Sequence, residues 1–296
     1  MILRDKPRLV DLLFAVRGSI VPLIAPGVLF LMGFAAAMVW LHREFGLFPG
    51  VDAVGFTVFG IALSLFLGFR NNAAYDRWWE ARRLWGGLLA DLRSLARELE
   101  IAWNDPAARH AVLRLALAFL HLHRANLRRL DSDPAALRYA GELADAAHPP
   151  CAALDRMAAL VADAHRAGAI DGFGARMLGE RLASMAAQQA GCERIAGTPL
   201  PYVYSLLVYR TTYAYCLLLP LALMGPAGWM TPVFVGIVAY VFLGLAEVTE
   251  ELSHPFGTTA NALPLDTICR AAEISLAPHL GEAPPPPLEA RNYYLS

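Results

Sequence analysis

His121 and His123 are the nearest thing in this sequence to a metal-binding pair. They stand two residues apart, which on a helix turns one about 200° from the other, so they cannot share an ion. Solvated or core histidines are the expectation, and no metal site is assigned. The four cysteines (Cys151, Cys192, Cys216 and Cys269) are scattered without CxxC spacing. That pattern suits reduced structural thiols better than a zinc site or a disulfide framework. No Gly-rich phosphate loop, GxSxG elbow or HExxH motif occurs. The chain is therefore read as no enzyme, with no catalytic residue and no cofactor.

A different spacing is more informative. Gly60, Ser64 and Gly68 repeat every four residues, a stripe of small side chains that lets helices approach closely. One residue on, about 100° around the axis, stand Ile61, Leu65 and Phe69. Such a bulky apolar row serves as a lipid-facing or core surface. Alternatively, repeated around a symmetry axis, it makes a constriction that gates ions by dewetting. Arg210 is a charge inside an apolar run. It either snorkels to an interface or faces a pore or a partner.

The elements that must position these residues follow from composition. Of the 296 residues 57% are apolar and 17% charged, and Lys+Arg 25 against Asp+Glu 26 leaves no basic excess for nucleic acid. The residues from Gly18 to Leu41 carry no charge, enough to cross a bilayer, and Pro22 and Pro26 sit in the first turns where proline costs least. The N-terminus has charged Arg4, Asp5, Lys6 and Arg8 without the core of a secretory signal, so this run is expected in the mature protein. Ala53 to Phe69 forms a second span. No proline occurs between Pro49 and Pro106, and Tyr75, Trp78, Trp79, Leu84 and Trp85 keep helical spacing. One long helix is predicted to cross the membrane and project beyond it, with Gly86-Gly87 as a place to kink.

Residues 107–130, 152–167 and 173–195 read as water-facing helices, opened or broken by Asp105-Pro106, Asp131-Ser132-Asp133-Pro134, His148-Pro149-Pro150 and 168–172. Gly225-Pro226-Ala227-Gly228 divides the last apolar block into two spans, which Glu247, Glu250 and Glu251 close. The remainder is mixed, with an extended, loosely held Pro284–Pro287 run. The fold class is an all-α integral membrane protein. It is read as a single domain, 1–296, with membrane helices at about 18–41, 53–69, 202–224 and 230–246, a cytoplasmic helical region at about 70–195 and a tail at 252–296. From Arg70 to Arg194 there are 17 arginines, and Arg4, Lys6, Arg8 and Arg17 precede the first span. Both termini and the helical region are expected in the cytoplasm.

The residues Gly60-Ile-Ala-Leu-Ser-Leu-Phe-Leu-Gly-Phe69, then Arg70-Asn71-Asn72 with Tyr75 and Arg77-Trp78-Trp79-Glu80, resemble the pore-helix signature of the bestrophin family. Arg17-Gly18-Ser19 and Pro255-Phe256-Gly257 match further family motifs in order, and Gly191-Cys192-Glu193-Arg194 with Thr198-Pro199 resembles the bacterial branch. The likeness covers nearly the whole chain. It implies a homopentamer in the lipid bilayer of a bacterial inner membrane, with small inorganic ions as its other partners. It places the pore neck and gate on Ile61, Leu65 and Phe69, and a cytoplasmic aperture on Phe173. It implies conduction of monovalent cations. A chloride or other anion channel of the same architecture, or a non-conducting membrane scaffold, are the alternatives. Eukaryotic members follow Pro-Phe-Gly with a dense acidic run that clasps calcium. Here Thr258 to Leu263 carries no carboxylate, so calcium activation is not expected.

Overall fold

The computed structural model describes residues 1–2, 15–16, 18–48, 51–130, 133–290 and 293–296. The basic flank Arg4, Lys6, Arg8 and Arg17, the Pro49-Gly50 turn and the Asp131-Ser132 break lie outside them. Nine α-helices run through the described residues: α1 Val21–Phe45, α2 Ala53–Ala102, α3 Pro106–Arg128, α4 Pro134–Ala140, α5 Pro149–Arg166, α6 Gly172–Gly197, α7 Tyr202–Leu223, α8 Thr231–Ser253 and α9 Leu265–Leu276. Among the described residues there is no strand, only an isolated bridge between Ile2 and Tyr294. Four helices, α1, α2, α7 and α8, are long and apolar enough to cross a membrane. The chain is an all-α membrane protein. It divides into two compact units, Asp5–Trp78 with Pro199–His254, and Met1–Arg4 with Trp79–Thr198 and Pro255–Ser296.

In the first unit α1 packs most closely on α8, and α7 on both. Leu31, Ala35, Val235 and Ala239 are fully buried there. Lipid removes the hydrophobic drive that would press helices together in water, so close fit has to supply the packing. Gly236 of α8 shows it: a Cβ there would lie 2.6 Å from Met32 Sδ of α1. The turn between α7 and α8 is closed by Gly228 at φ 52°, and the Arg43 guanidinium lies 5.9 Å over the Trp229 ring.

The second unit is built on α3, which packs on α4, α5 and α9. Asp105 caps α3 by accepting from the Ala107 N–H at 2.9 Å, with Pro106 in the first turn as the sequence predicts. Trp85, Leu88, Leu92, Leu113 and Phe119 are fully buried. Each such side chain removed from water contributes about 1.5–3 kcal/mol. Helix α2 runs unbroken through Gly86-Gly87. Gly87 is there for closeness: a Cβ would lie 2.8 Å from the Gln188 side chain of α6.

The tail holds an element that the sequence reading passed over. Leu265, Ile268, Cys269, Ala272 and Leu276 are buried along one face of α9, a legible helical spacing. Asp266 accepts from Arg124 at 2.8 Å and from Arg128 at 2.8 and 2.9 Å, and Glu273 meets His121 at 2.9 Å. Pro284–Pro287 follows it without regular secondary structure, and the Pro286 carbonyl accepts from Arg270 at 3.3 Å.

Candidate functional site

Helix α2 meets its own membrane unit along one line. Leu63 and Leu67 are buried, and Arg70 and Ala74 continue the same helical stripe, also buried. Ile61 and Leu65 each stand two residues before a buried leucine, about 200° around the axis. They therefore point away from the packed side, and with Phe69 they are 59%, 59% and 72% exposed. The three share a face, as their four-residue spacing requires.

Polar anchors hold that rotation. Arg70 Nη2 donates to Ser205 Oγ of α7 at 2.7 Å and to Glu250 Oε2 of α8 at 3.2 Å. Arg77 Nε of α2 donates to the Ser253 carbonyl at 2.9 Å, while between α7 and α8 the Tyr209 hydroxyl donates to Glu247 at 3.0 Å. Turning α2 about its axis breaks the Arg70 pair and leaves a buried charge uncompensated. Sequence reasoning missed this anchor, although the signal was there. Arg70 is the first charge after one apolar run, and Glu250 is among the first after another.

The small-residue stripe behaves unevenly. A Cβ on Gly60 would lie 2.6 Å from the Tyr215 hydroxyl, so α2 and α7 approach closely there. Ser64 is exposed, and a Cβ on Gly68 would meet no heavy atom within 4 Å. Within the chain, then, Leu63, Leu67 and Arg70 carry the packing that the stripe was expected to carry, and Gly60 alone joins them. Arg70 opposite Ser205 and Gly60 opposite Tyr215 set the register of α2 against α7. That register puts Arg210, which is exposed, close to the level of Leu65.

Phe173 belongs to the other unit. Asp171 caps α6 by accepting from the Gly174 N–H at 2.7 Å, and Phe173 in that first turn is 86% exposed. The two histidines take different surroundings. His121 pairs with Glu273 and stacks on Tyr139 at 5.2 Å. His123 is buried between Trp85 at 5.6 Å and Phe119 at 5.9 Å. Burial pushes the Cys192 and Cys269 thiols up to about 12, which keeps them protonated and unreactive.

A sequence model of the Bacterial/Fungal Bestrophin protein family matches residues 1–278. The voltage-dependent anion channel-forming protein mll4386 of Mesorhizobium japonicum is 48% identical over 301 residues, covering 100% of this chain and 97% of that one. The voltage-dependent anion channel-forming protein YneE of Escherichia coli K12 is 36% identical over 310 residues, covering 100% of both. The crystal structure of a bacterial bestrophin homologue from Klebsiella pneumoniae superposes with a TM-score of 0.81 at 32% identity, over 90% of this chain and 100% of that one.

Proposed function

The chain belongs to the bacterial and fungal bestrophin family, and from that premise we propose that it forms a homopentameric ion channel in a bacterial inner membrane. The observation that carries this reading is the exposed row Ile61, Leu65 and Phe69 opposite the anchored face of α2. Five copies of the row around an axis make rings of large apolar side chains, a neck reluctant to hold water and so able to gate. Ser64 and Gly68, open in the single chain, face the neighbouring subunit beside Gly60. Phe173 forms the cytoplasmic aperture, and residues 1–296 act as a single bestrophin-type domain with both termini in the cytoplasm.

For the permeant ion, family resemblance points to monovalent cations, whereas the relatives carry the name of anion channels. The reversal potential of purified protein in a planar bilayer under a KCl gradient separates the two by its sign. Absence of current altogether would favour the scaffold.

Replacing Ile61, Leu65 and Phe69 together by alanine widens every ring at once. Conductance or open probability is expected to rise. Phe66→Ala is the control, since Phe66 stands about 100° from Leu65 and stacks on Tyr204 at 6.0 Å. A triple variant that assembles and conducts like the wild type, with Phe66→Ala raising the current instead, would place the pore on another face.

A further inference from the structure

A cavity of about 260 Å³ opens between α2 and the start of α7. Phe66, Phe69, Leu200, Pro201 and Tyr204 line it, and Arg70 is the charged group in its wall. Arg70 is only 6% exposed. Its Nη2 serves Ser205 and Glu250, while Nε and Nη1 are buried without a hydrogen-bond partner. Unpaired donors on a buried cation are costly and call for an acceptor. Helix α7 begins at the same cavity, and no side chain caps it at Pro201. The start of a helix carries partial positive charge and unpaired N–H groups. The depth is also telling. The uncharged run of α2 ends at Phe69, and α7 enters its apolar run at Tyr202, which is the level of lipid headgroups.

We propose that this cavity binds an anionic phospholipid, with the phosphate held by Arg70 and the first turn of α7 and an acyl chain laid along Phe66, Leu200 and Tyr204. Nε and Nη1 are the Arg70 donors left without a partner for the phosphate. Glu250 keeps Nη2 and so holds the arginine in place. A free phosphate ion meets the same donors, but the apolar and aromatic walls return nothing for the hydration it gives up. An acyl chain suits them. Basic pockets between membrane helices recognise headgroups by this combination of charge and apolar wall.

The test is native mass spectrometry of the purified full chain in non-ionic detergent. It is titrated with phosphatidylglycerol, with phosphatidylcholine of the same chains and with inorganic phosphate. The wild type is expected to hold phosphatidylglycerol more tightly than phosphatidylcholine. Arg70→Gln and Ala73→Trp are each expected to weaken it about tenfold. Ala73 lines the cavity and its replacement fills the space while keeping the Arg70–Glu250 pair, so the outcome does not hang on whether Arg70→Gln folds. Arg43→Gln, in the last turn of α1 over Trp229, is expected to bind like the wild type. Equal binding of the two lipids, or phosphatidylglycerol binding untouched by Ala73→Trp, would overturn the proposal. So would inorganic phosphate bound with the same dependence on Arg70 and Ala73.

Discussion

His123 lies between two aromatic rings with both ring nitrogens unpartnered. Burial, with a smaller push from His148, lowers its pKa from 6.5 to about 3. The unfolded chain takes up a proton near 6.5, while the folded chain stays neutral down to about 3. The stability this residue permits is therefore full above pH 6.5 and lost progressively as pH falls toward 3. At pH 5 the loss is about 2 kcal/mol. Replacing His123 by Phe keeps a flat ring between Trp85 and Phe119 and removes the proton site. Thermal unfolding at pH 7.5 and pH 5 is expected to show a smaller acid-induced fall in Tm for His123→Phe, by several degrees. An equal fall in both proteins would remove His123 from the account. The histidine was visible in the sequence, and its sequence spacing already argued against a shared ion. That it would be stacked and silent depended on Trp85 and Phe119 closing over it.

Helix α2 carries two glycines of the same stripe with opposite surroundings. Gly60 faces the Tyr215 hydroxyl at a distance that admits no side chain, whereas Gly68 faces open space. Gly60→Leu is expected to displace Tyr215 and lower the stability of the chain by about 1–3 kcal/mol, read from thermal unfolding. Gly68→Leu meets no clash within its own chain and is expected to leave that unfolding nearly unchanged. It is expected instead to shift the oligomer toward smaller species in light scattering, because small residues on an interface let neighbouring helices close. Normal assembly of Gly68→Leu would show that this part of the stripe faces lipid. Sequence periodicity places Gly60, Ser64 and Gly68 on one line, but it does not distinguish which of them already has a neighbour in its own chain.

For the molecule as a whole, the proposed sidedness rests on charge. Arginines crowd the residues between Arg70 and Arg194, while the turn between α7 and α8 carries no charge. Basic flanks stay on the cytoplasmic side. Ala167 and Gly225 are both exposed and suit cysteine labelling in a Cys151→Ser background. Ala167→Cys is expected to be protected from a membrane-impermeant reagent in intact cells, and Gly225→Cys to be labelled from outside. Labelling of both from the same side would invalidate the arrangement of the spans.

The four candidate spans and the helices between residues 106 and 197 were legible in the sequence because they rest on local quantities. Length without charge decides crossing, proline and glycine decide ends, and Asp105-Pro106 caps a helix by contacts within three residues. The tertiary structure alone decided which way α2 faces. A four-residue repeat sets the angles among Gly60, Ile61 and Leu65, but it leaves the rotation of the whole helix open. That rotation is held by Arg70, whose partners Ser205 and Glu250 lie 135 and 180 residues away. The docking of α9 is of the same kind, since Asp266 meets Arg128 across 138 residues. Contacts of that separation form only when distant segments pack together, so no local spacing records them.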